Sequence, residues 1–229
     1  MPAIGEFTRA FAAITGTEFG SILKLQRVLR DAGLLTSGAR GVNAPDLTPL
    51  DAARMLIAIL VTDRPSLAAA AVSAFGPLPW ADSALSMGSI AATPEGAVFG
   101  GLNDAMSFEE TLAGVIEGAA LAPAEHHELL TRNLRASCEP TDLTASLSWR
   151  DGWASFSAGG AWMHLLADPA ANADRLREID AEQQSARDRA RVFAGYSLRI
   201  KTIRTIDGGL LMEIASVFRG EAANDEKVA

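Results

Sequence analysis

Cationic side chains recur at every third residue in one N-terminal segment, at Lys24, Arg27 and Arg30. If this segment is a helix, the spacing keeps the three side chains on one side, where they can bind phosphate oxygens or base edges. Arg40 follows in a loop flanked by glycines, from which it can reach a phosphate backbone or a minor groove. The alternative is the solvated face of an ordinary helix that ends at Gly33, and the residues alone leave both interpretations open.

The other residues with chemical potential do not form a recognisable catalytic or metal site. Residues 125–128, EHHE, have zinc-ligand types, but adjacent histidines on a helix cannot both face one metal and no second Cys/His pair exists. Cys138, the single cysteine, lacks the pattern of partners that a nucleophile needs, so we expect a small core residue. We therefore predict no catalytic residues, no metal and no cofactor, and we expect that the protein is not an enzyme.

Helical signals dominate the first part of the chain. Apolar residues at three- and four-residue spacing predict a helix over residues 4–15, and the segment GTEFG breaks it. A second helix, which carries the three cations, is predicted from an N-cap at Ser21 to a stop at Gly33. The segment TPLD, residues 48–51, has the cap and first-turn signature of a third, buried helix, and Ser66 is expected to cap a fourth.

This order of elements resembles the MerR-like winged helix-turn-helix family. The resemblance rests on IGEFTRAF as the first helix, LQRVLRDAGLL as the second helix with its exit, TSGARGVNAPDLT as the wing and PLDAARMLIAIL as the next helix. It implies a second helix that enters the major groove through Lys24, Arg27 and Arg30, with Arg40 on the wing. Similar modules occur in excisionases and in small terminase subunits of phages.

Strand signals appear in the second half of the chain. The segment LTASLSWRDGWASFSAG predicts a hairpin whose turn is Asp151-Gly152, with Trp149 opposite Ala154. One face of this hairpin is apolar and the other is mixed, as in a half-buried hairpin. Trp149, Arg150 and Trp153 are its candidate surface for an oligomer or protein contact.

The remaining signals indicate helices and a second hairpin. Ser107 and Glu110 predict a capping box at the start of a helix, and another helix is expected over about residues 124–135. A charged helix is predicted over about residues 169–192, and a second hairpin is predicted around residues 208–209. The expected fold class is therefore α+β, with a helical winged-helix-like unit followed by a part that holds a small antiparallel sheet built from two hairpins.

The predicted organisation has four segments. Residues 1–75 form the DNA-binding unit, residues 76–106 are a connector, residues 107–220 are the α+β part, and residues 221–229 are a solvated tail.

Composition and charge exclude several classes of protein. The chain is 48% apolar and 21% charged, which is typical of a globular protein, and no apolar run approaches the length of a membrane span. A net charge of −8 excludes a protein that coats nucleic acid with its whole surface. Up to Arg64, however, seven Lys/Arg stand against six Asp/Glu, so a local basic face is possible. The single cysteine and the lack of a secretory pattern predict a cytoplasmic location.

Two functions follow from these patterns. The first is a DNA-binding protein that docks a basic helix on duplex DNA. Its role is that of a regulator or of an accessory factor that processes the DNA of a mobile element or phage. Such a protein is expected to form a homo-oligomer or to bind a protein partner. The alternative is a structural or adaptor protein that acts through protein contacts of its C-terminal half without DNA. Neither function involves a membrane.

Overall fold

The computed structural model describes residues 4–36, 46–78, 102, 105–139, 144–149, 152–157 and 204–219. Its helices are α1 (Ile4–Thr15), α2 (Phe19–Asp31), α3 (Pro49–Val61), α4 (Ala68–Phe75), α5 (Phe108–Leu121), α6 (Ala124–Asn133) and α7 (Gly208–Arg219). Its strands are β1 (Leu134–Glu139), β2 (Thr144–Trp149), β3 (Gly152–Ser157) and β4 (Arg204–Asp207). Helices come first and strands mixed with helices come later, which confirms the predicted α+β class.

Two helices begin at the capping boxes that their sequences predict. In α3, the Thr48 hydroxyl accepts a hydrogen bond from the Asp51 backbone N–H, and the Asp51 side chain accepts one from the Thr48 N–H. Ser107 and Glu110 form the same reciprocal pair at the start of α5. Each box satisfies donors that a helix start otherwise leaves unpaired, so both boundaries are set by local chemistry.

Two other predicted caps are wrong. Helix α2 begins at Phe19 after Glu18, and Ser21 lies inside its first turn, where its hydroxyl donates to the Glu18 carboxylate at 3.1 Å. A short 3-10 helix, Pro65–Leu67, precedes α4 and contains Ser66, so this serine does not cap α4. The early start of α2 places the aromatic ring of Phe19 on the helix rather than in a connecting loop.

Strand β1 of the sheet was not predicted, because its first residues continue the helical pattern of α6. The strands lie in the order β3-β2-β1-β4, and all neighbours are antiparallel. Helix α6 ends at Asn133, and β1 begins where the sequence predicts the last turn of that helix. Leu134, Ala136 and Cys138 are buried, and Arg135 and Ser137 between them are more accessible, which is the two-residue period of a half-buried strand.

The first predicted hairpin is confirmed, with a change of register. Strands β2 and β3 pair so that Trp149 lies opposite Gly152 and Leu147 lies opposite Ala154. The observed pairing therefore shifts by two residues from the predicted pairing of Trp149 with Ala154. Because strand positions alternate between faces with a period of two, this shift leaves every residue on its predicted face.

The second predicted hairpin is wrong. After the short strand β4, residues 208–219 form α7 instead of a returning strand. The Asp207 carboxylate accepts a hydrogen bond from the Leu210 backbone N–H at 3.0 Å, which is the geometry of a helix cap. Gly208 lies so close to the end of α6 that an added Cβ would stand 2.2 Å from the Leu130 carbonyl oxygen. The two glycines therefore serve a helix start against α6 rather than a hairpin turn.

One hydrophobic core joins the early helices to the later elements. Helix α3 packs on α4 and α5, and α7 packs on α1, α5 and α6. Phe7 of α1 lies 5.6 Å from Phe218 of α7, measured between ring centroids. In the part of the chain that the structure describes, no helix is long and apolar enough to span a membrane. Most of the connector, the charged helix over residues 169–192 and the tail lie outside the described residues.

Candidate nucleic-acid interface

Helices α1 and α2 are joined by a tight three-residue turn. Gly16 has a φ of 62°, which glycine adopts without strain. The Thr17 N–H donates to the Ala12 carbonyl oxygen at 3.1 Å, and the Gly16 N–H donates to that of Ala13 at 3.2 Å. These two bonds form a Schellman motif, which ends α1 and turns the chain toward α2. A turn of three or four residues that contains glycine is the usual connection of a helix-turn-helix.

One side of α2 is seated in the core. Ile22, Leu25 and Leu29 are buried, and the helix packs on α1, α4 and the 3-10 helix. Gln26 is buried on the same side, where its Oε1 accepts a hydrogen bond from the Thr8 hydroxyl of α1 at 3.2 Å. These contacts seat one side of α2 in the core and leave the side chains on its other side facing outward.

The other side of α2 carries the three predicted cations. Lys24, Arg27 and Arg30 are all exposed, and in the described part of the chain none of their side chains forms an ion pair or hydrogen bond. Arg9 of α1 is also exposed and also lacks a side-chain partner among the described residues. Glu18 and Asp31 are the exposed carboxylates at the two ends of α2. The structure thus brings three of the four predicted contact residues together on one accessible helix face.

The exit of α2 is an ordinary helix end. Gly33 has a φ of 71°, its N–H donates to the Arg30 carbonyl oxygen, and the Leu34 N–H donates to that of Leu29. This is a second Schellman motif, so the glycine explains where the helix stops but not what the helix does. Arg40 lies outside the described residues, and its place at the interface stays a prediction.

The Asp51 side chain binds both ends of the predicted wing. Its carboxylate is buried and accepts hydrogen bonds from the backbone N–H and the hydroxyl of Thr36 and of Thr48, each at 2.8 Å. Thr36 and Thr48 are the first and last residues of the predicted wing, of which residues 37–45 lie outside the described part of the chain. Four donors on one carboxylate satisfy its lone pairs, which compensates for its burial.

Arg54, on the buried helix α3, does not contribute to the exposed cationic face. Its Nε and one terminal nitrogen donate to the two carboxylate oxygens of Glu109 at 3.0 and 2.9 Å, and another nitrogen donates to the Leu34 carbonyl oxygen. The hydrogen bonds to Glu109 raise the pKa of Arg54 above its ordinary value. The guanidinium therefore fastens α3 to α5 and to the exit of α2.

Two apolar side chains on the same face were not predicted as contact residues. Phe19 is 43% exposed and Leu23 is 42% exposed, although both are large and apolar. Phe19 also lines an open hollow of about 400 Å³ together with Arg9 and the end of α1. The four-residue spacing of Phe19 and Leu23 was a usable signal, but the expected break at GTEFG placed Phe19 outside the helix.

The predicted surface on the hairpin is only partly described. Trp149 pairs with Leu134 on one side and Gly152 on the other, and Trp153 pairs with Ser148. The two tryptophans occupy register positions that belong to opposite faces of the sheet. Arg150 lies outside the described residues. The hairpin surface therefore stays a prediction.

The other reactive side chains that the structure describes do not form a site. Cys138 is buried in β1, and burial raises the pKa of its thiol, which opposes formation of a thiolate. The described residues contain no group of three or more His, Cys, Asp or Glu side chains that can hold a metal ion. His127 contacts the Ala122 carbonyl oxygen at 3.0 Å through Nε2, so it is engaged with its own helix start.

The sequence and structure were compared with known proteins. No family model matches the chain, and no curated protein and no solved structure matches it. The MerR-like resemblance of the N-terminal quarter stays a prediction.

The geometry of α2 determines what this face can do. A helix with unpaired cations on its exposed side can bind an anion with several regularly spaced charges. The guanidinium groups of Arg27 and Arg30 can each bind phosphate or a guanine edge through two nitrogens, and Lys24 acts as a point charge.

Proposed function

We propose that the protein binds duplex DNA through the exposed face of α2. The observation that carries this proposal is the set of three exposed cations, Lys24, Arg27 and Arg30, without side-chain partners in the described part of the chain. They project from the second helix of a pair that is joined by a three-residue, glycine-containing turn. In a helix-turn-helix, this second helix enters the major groove.

The charge distribution supports contact with DNA over a small area. The chain has a net charge of −8, so the acidic remainder repels DNA and keeps non-specific binding weak. Three or four cations from a single copy give weak binding at physiological salt, because affinity depends on the number of phosphates neutralised. A homo-oligomer that presents two such helices, in the cytoplasm and without a cofactor, is therefore part of the proposal. Arg40 is proposed as an additional backbone contact.

Replacement of the two arginines tests this function. We expect the Arg27→Ala, Arg30→Ala double variant to bind a random-sequence duplex more weakly and with a salt slope shallower by about one for each arginine lost from a phosphate, measured by fluorescence anisotropy from low salt upward. Arg132→Ala is the matched control, because Arg132 is also exposed and its side chain, within the described part of the chain, pairs with Glu128 one turn away on α6. Equal affinities of the wild type, the double variant and the control would reject DNA binding by α2.

The second candidate is an adaptor that acts through protein contacts of its C-terminal half. It is favoured by the position of β3 at one edge of the described sheet, because an edge strand offers backbone groups to an added strand. Its test is the same titration. A protein that forms oligomers but shows no salt-sensitive binding of DNA fits the adaptor and not the DNA-binding protein.

A further inference from the structure

Phe19 and Leu23 form an exposed apolar pair at the start of the basic helix. Among the residues whose burial the structure describes, three large apolar side chains are exposed, and two of the three are on α2. The pair is one helical turn apart, so the two side chains are neighbours on one face. The adjoining face of the same helix, which includes Ile22, Leu25 and Gln26, is buried, so the exposure of the pair is not a consequence of a loosely packed helix.

The apolar pair and the two arginines lie on one continuous stripe. With about 100° of rotation per residue, positions 19, 23, 27 and 30 fall within an arc of about 80°. The stripe is about 17 Å long, with its apolar half at the start of α2 and its cationic half at the end. A ligand of this stripe must therefore present an apolar group and negative charges on one surface.

Charge decides between the possible partners of the stripe. A second copy offers the same stripe, which carries arginines and no carboxylate, so it provides no negative charge for Arg27 and Arg30, and a parallel pairing would bring like charges together. Duplex DNA provides the phosphates, and its major groove offers one apolar group, the C5 methyl of thymine. In helices that enter this groove, the N-terminal residues contact the base edges.

We infer that Phe19 and Leu23 contact thymine methyl groups while Arg27 and Arg30 bind phosphates of the same duplex. This inference rests on the proposed function and specifies its substrate as DNA with thymines in the contacted half-site. Glu18, the carboxylate nearest to Phe19, accepts a hydrogen bond from Ser21 within the first turn, which orients its side chain toward its own helix. Arg9, beside the hollow that Phe19 lines, adds a cation at the same end of the stripe.

Replacing thymine by uracil removes the methyl group and leaves the base-pairing edges unchanged, so it tests the contact directly. Binding of the full chain to a duplex of alternating A·T pairs is compared with binding to the same duplex containing deoxyuridine. We expect the wild type to prefer the thymine duplex by roughly fourfold for each methyl group that it buries. Phe19→Ala and Leu23→Ala should reduce this preference and retain salt-sensitive binding.

Two further variants control for general effects. Arg27→Ala should weaken binding to both duplexes by the same factor, because a phosphate contact does not depend on the methyl group. Leu121→Ala should leave the preference unchanged, since Leu121 is 78% exposed at the end of α5, outside the stripe. Sedimentation of each variant reports whether its oligomeric state is altered.

Three outcomes overturn the inference, and they are distinguishable. Equal binding of both duplexes by the wild type rejects methyl contact but leaves the proposed function in place. If Phe19→Ala and Leu23→Ala still prefer the thymine duplex, the preference comes from DNA shape and not from methyl contact. A change in the sedimentation of these variants would then show that Phe19 and Leu23 form a protein contact. If the wild type binds neither duplex, the proposed function fails and the inference fails with it.

Discussion

Two neighbouring regions of the N-terminal half use charged side chains in opposite ways. Around the start of α3, Asp51 accepts four hydrogen bonds and Arg54 is bound by Glu109 and the Leu34 carbonyl oxygen. On α2, Lys24 and Arg27 have no side-chain partner among the described residues. Charges of the first kind stabilise the fold, whereas those of the second kind contribute little to it. A count of cations therefore overstates the surface available to DNA, because the guanidinium of Arg54 is bound inside the fold.

The largest effect is expected at the buried carboxylate. Asp51→Ala leaves the N–H and hydroxyl groups of the partly buried Thr36 and Thr48 without their acceptor, which should lower the free energy of unfolding by about 3 kcal/mol. The shift of the urea midpoint measures it. Asp31→Ala, at an exposed aspartate, should change stability by less than about 0.5 kcal/mol. Similar losses in the two variants would contradict the distinction between the regions.

A smaller effect is expected at the ion pair between α3 and α5. The side chains of Arg54 and Glu109 are only 21% and 17% exposed. Glu109→Leu leaves the guanidinium without its carboxylate, which should lower the free energy of unfolding by about 2 kcal/mol. Adding Arg54→Met should recover part of this loss, and the double-mutant cycle isolates the coupling. The exposed pair of Arg132 and Glu128 should show coupling below about 0.5 kcal/mol. Equal coupling in the two pairs is the result that contradicts this expectation.

A pH-dependent effect is expected at the start of α5. Hydrogen bonds from the Ser107 N–H and hydroxyl lower the pKa of Glu110 from its ordinary value of 4.5. Its ionised form therefore stabilises the fold above that pH, and the contribution is lost as the pH falls through the lower folded pKa. Glu110→Gln should cost less than about 1 kcal/mol at neutral pH and progressively less below pH 4.5.

Urea unfolding at several pH values measures this difference. Ser107→Ala is the control, because it removes the hydroxyl donor and keeps the backbone N–H donor, so the pH-dependent cost of Glu110→Gln should become smaller in that background without vanishing. A pH-independent cost of Glu110→Gln would show that the capping box does not act through the charge.

The smallest effect on stability is expected on the exposed face of α2. The Arg27→Ala, Arg30→Ala double variant should unfold within about 0.5 kcal/mol of the wild type, since neither side chain has a partner to lose. Urea unfolding checks this before any DNA measurement is interpreted. A decrease of more than about 1 kcal/mol in the free energy of unfolding would show that the two arginines stabilise the fold.

The parts of the fold that were predictable have local causes. The starts of α3 and α5 depend on residues within one turn, so the capping boxes at Thr48 and Ser107 were visible in the sequence. β1 was missed because its stability comes from pairing with β2 and with β4, which is distant in sequence. The Gly208-Gly209 pair was assigned to a turn because nothing in the sequence shows its close contact with α6.

The candidate site divides in the same way. The exposure of Lys24, Arg27 and Arg30 followed from helical spacing alone, since the buried residues of α2 define its opposite side. The withdrawal of Arg54 from the surface depends on Glu109, which lies 55 residues further along the chain. Tertiary partners of this kind are not encoded in a local pattern.

Binding of DNA by α2 is tested by the salt dependence of the affinity. The logarithm of the affinity should fall linearly with the logarithm of the salt concentration between about 50 and 200 mM, with a slope of about −0.9 per neutralised phosphate. In the Arg27→Ala, Arg30→Ala variant the slope should become shallower by about one for each arginine lost from a phosphate. The same slope and affinity in both proteins would contradict the claim that α2 binds DNA.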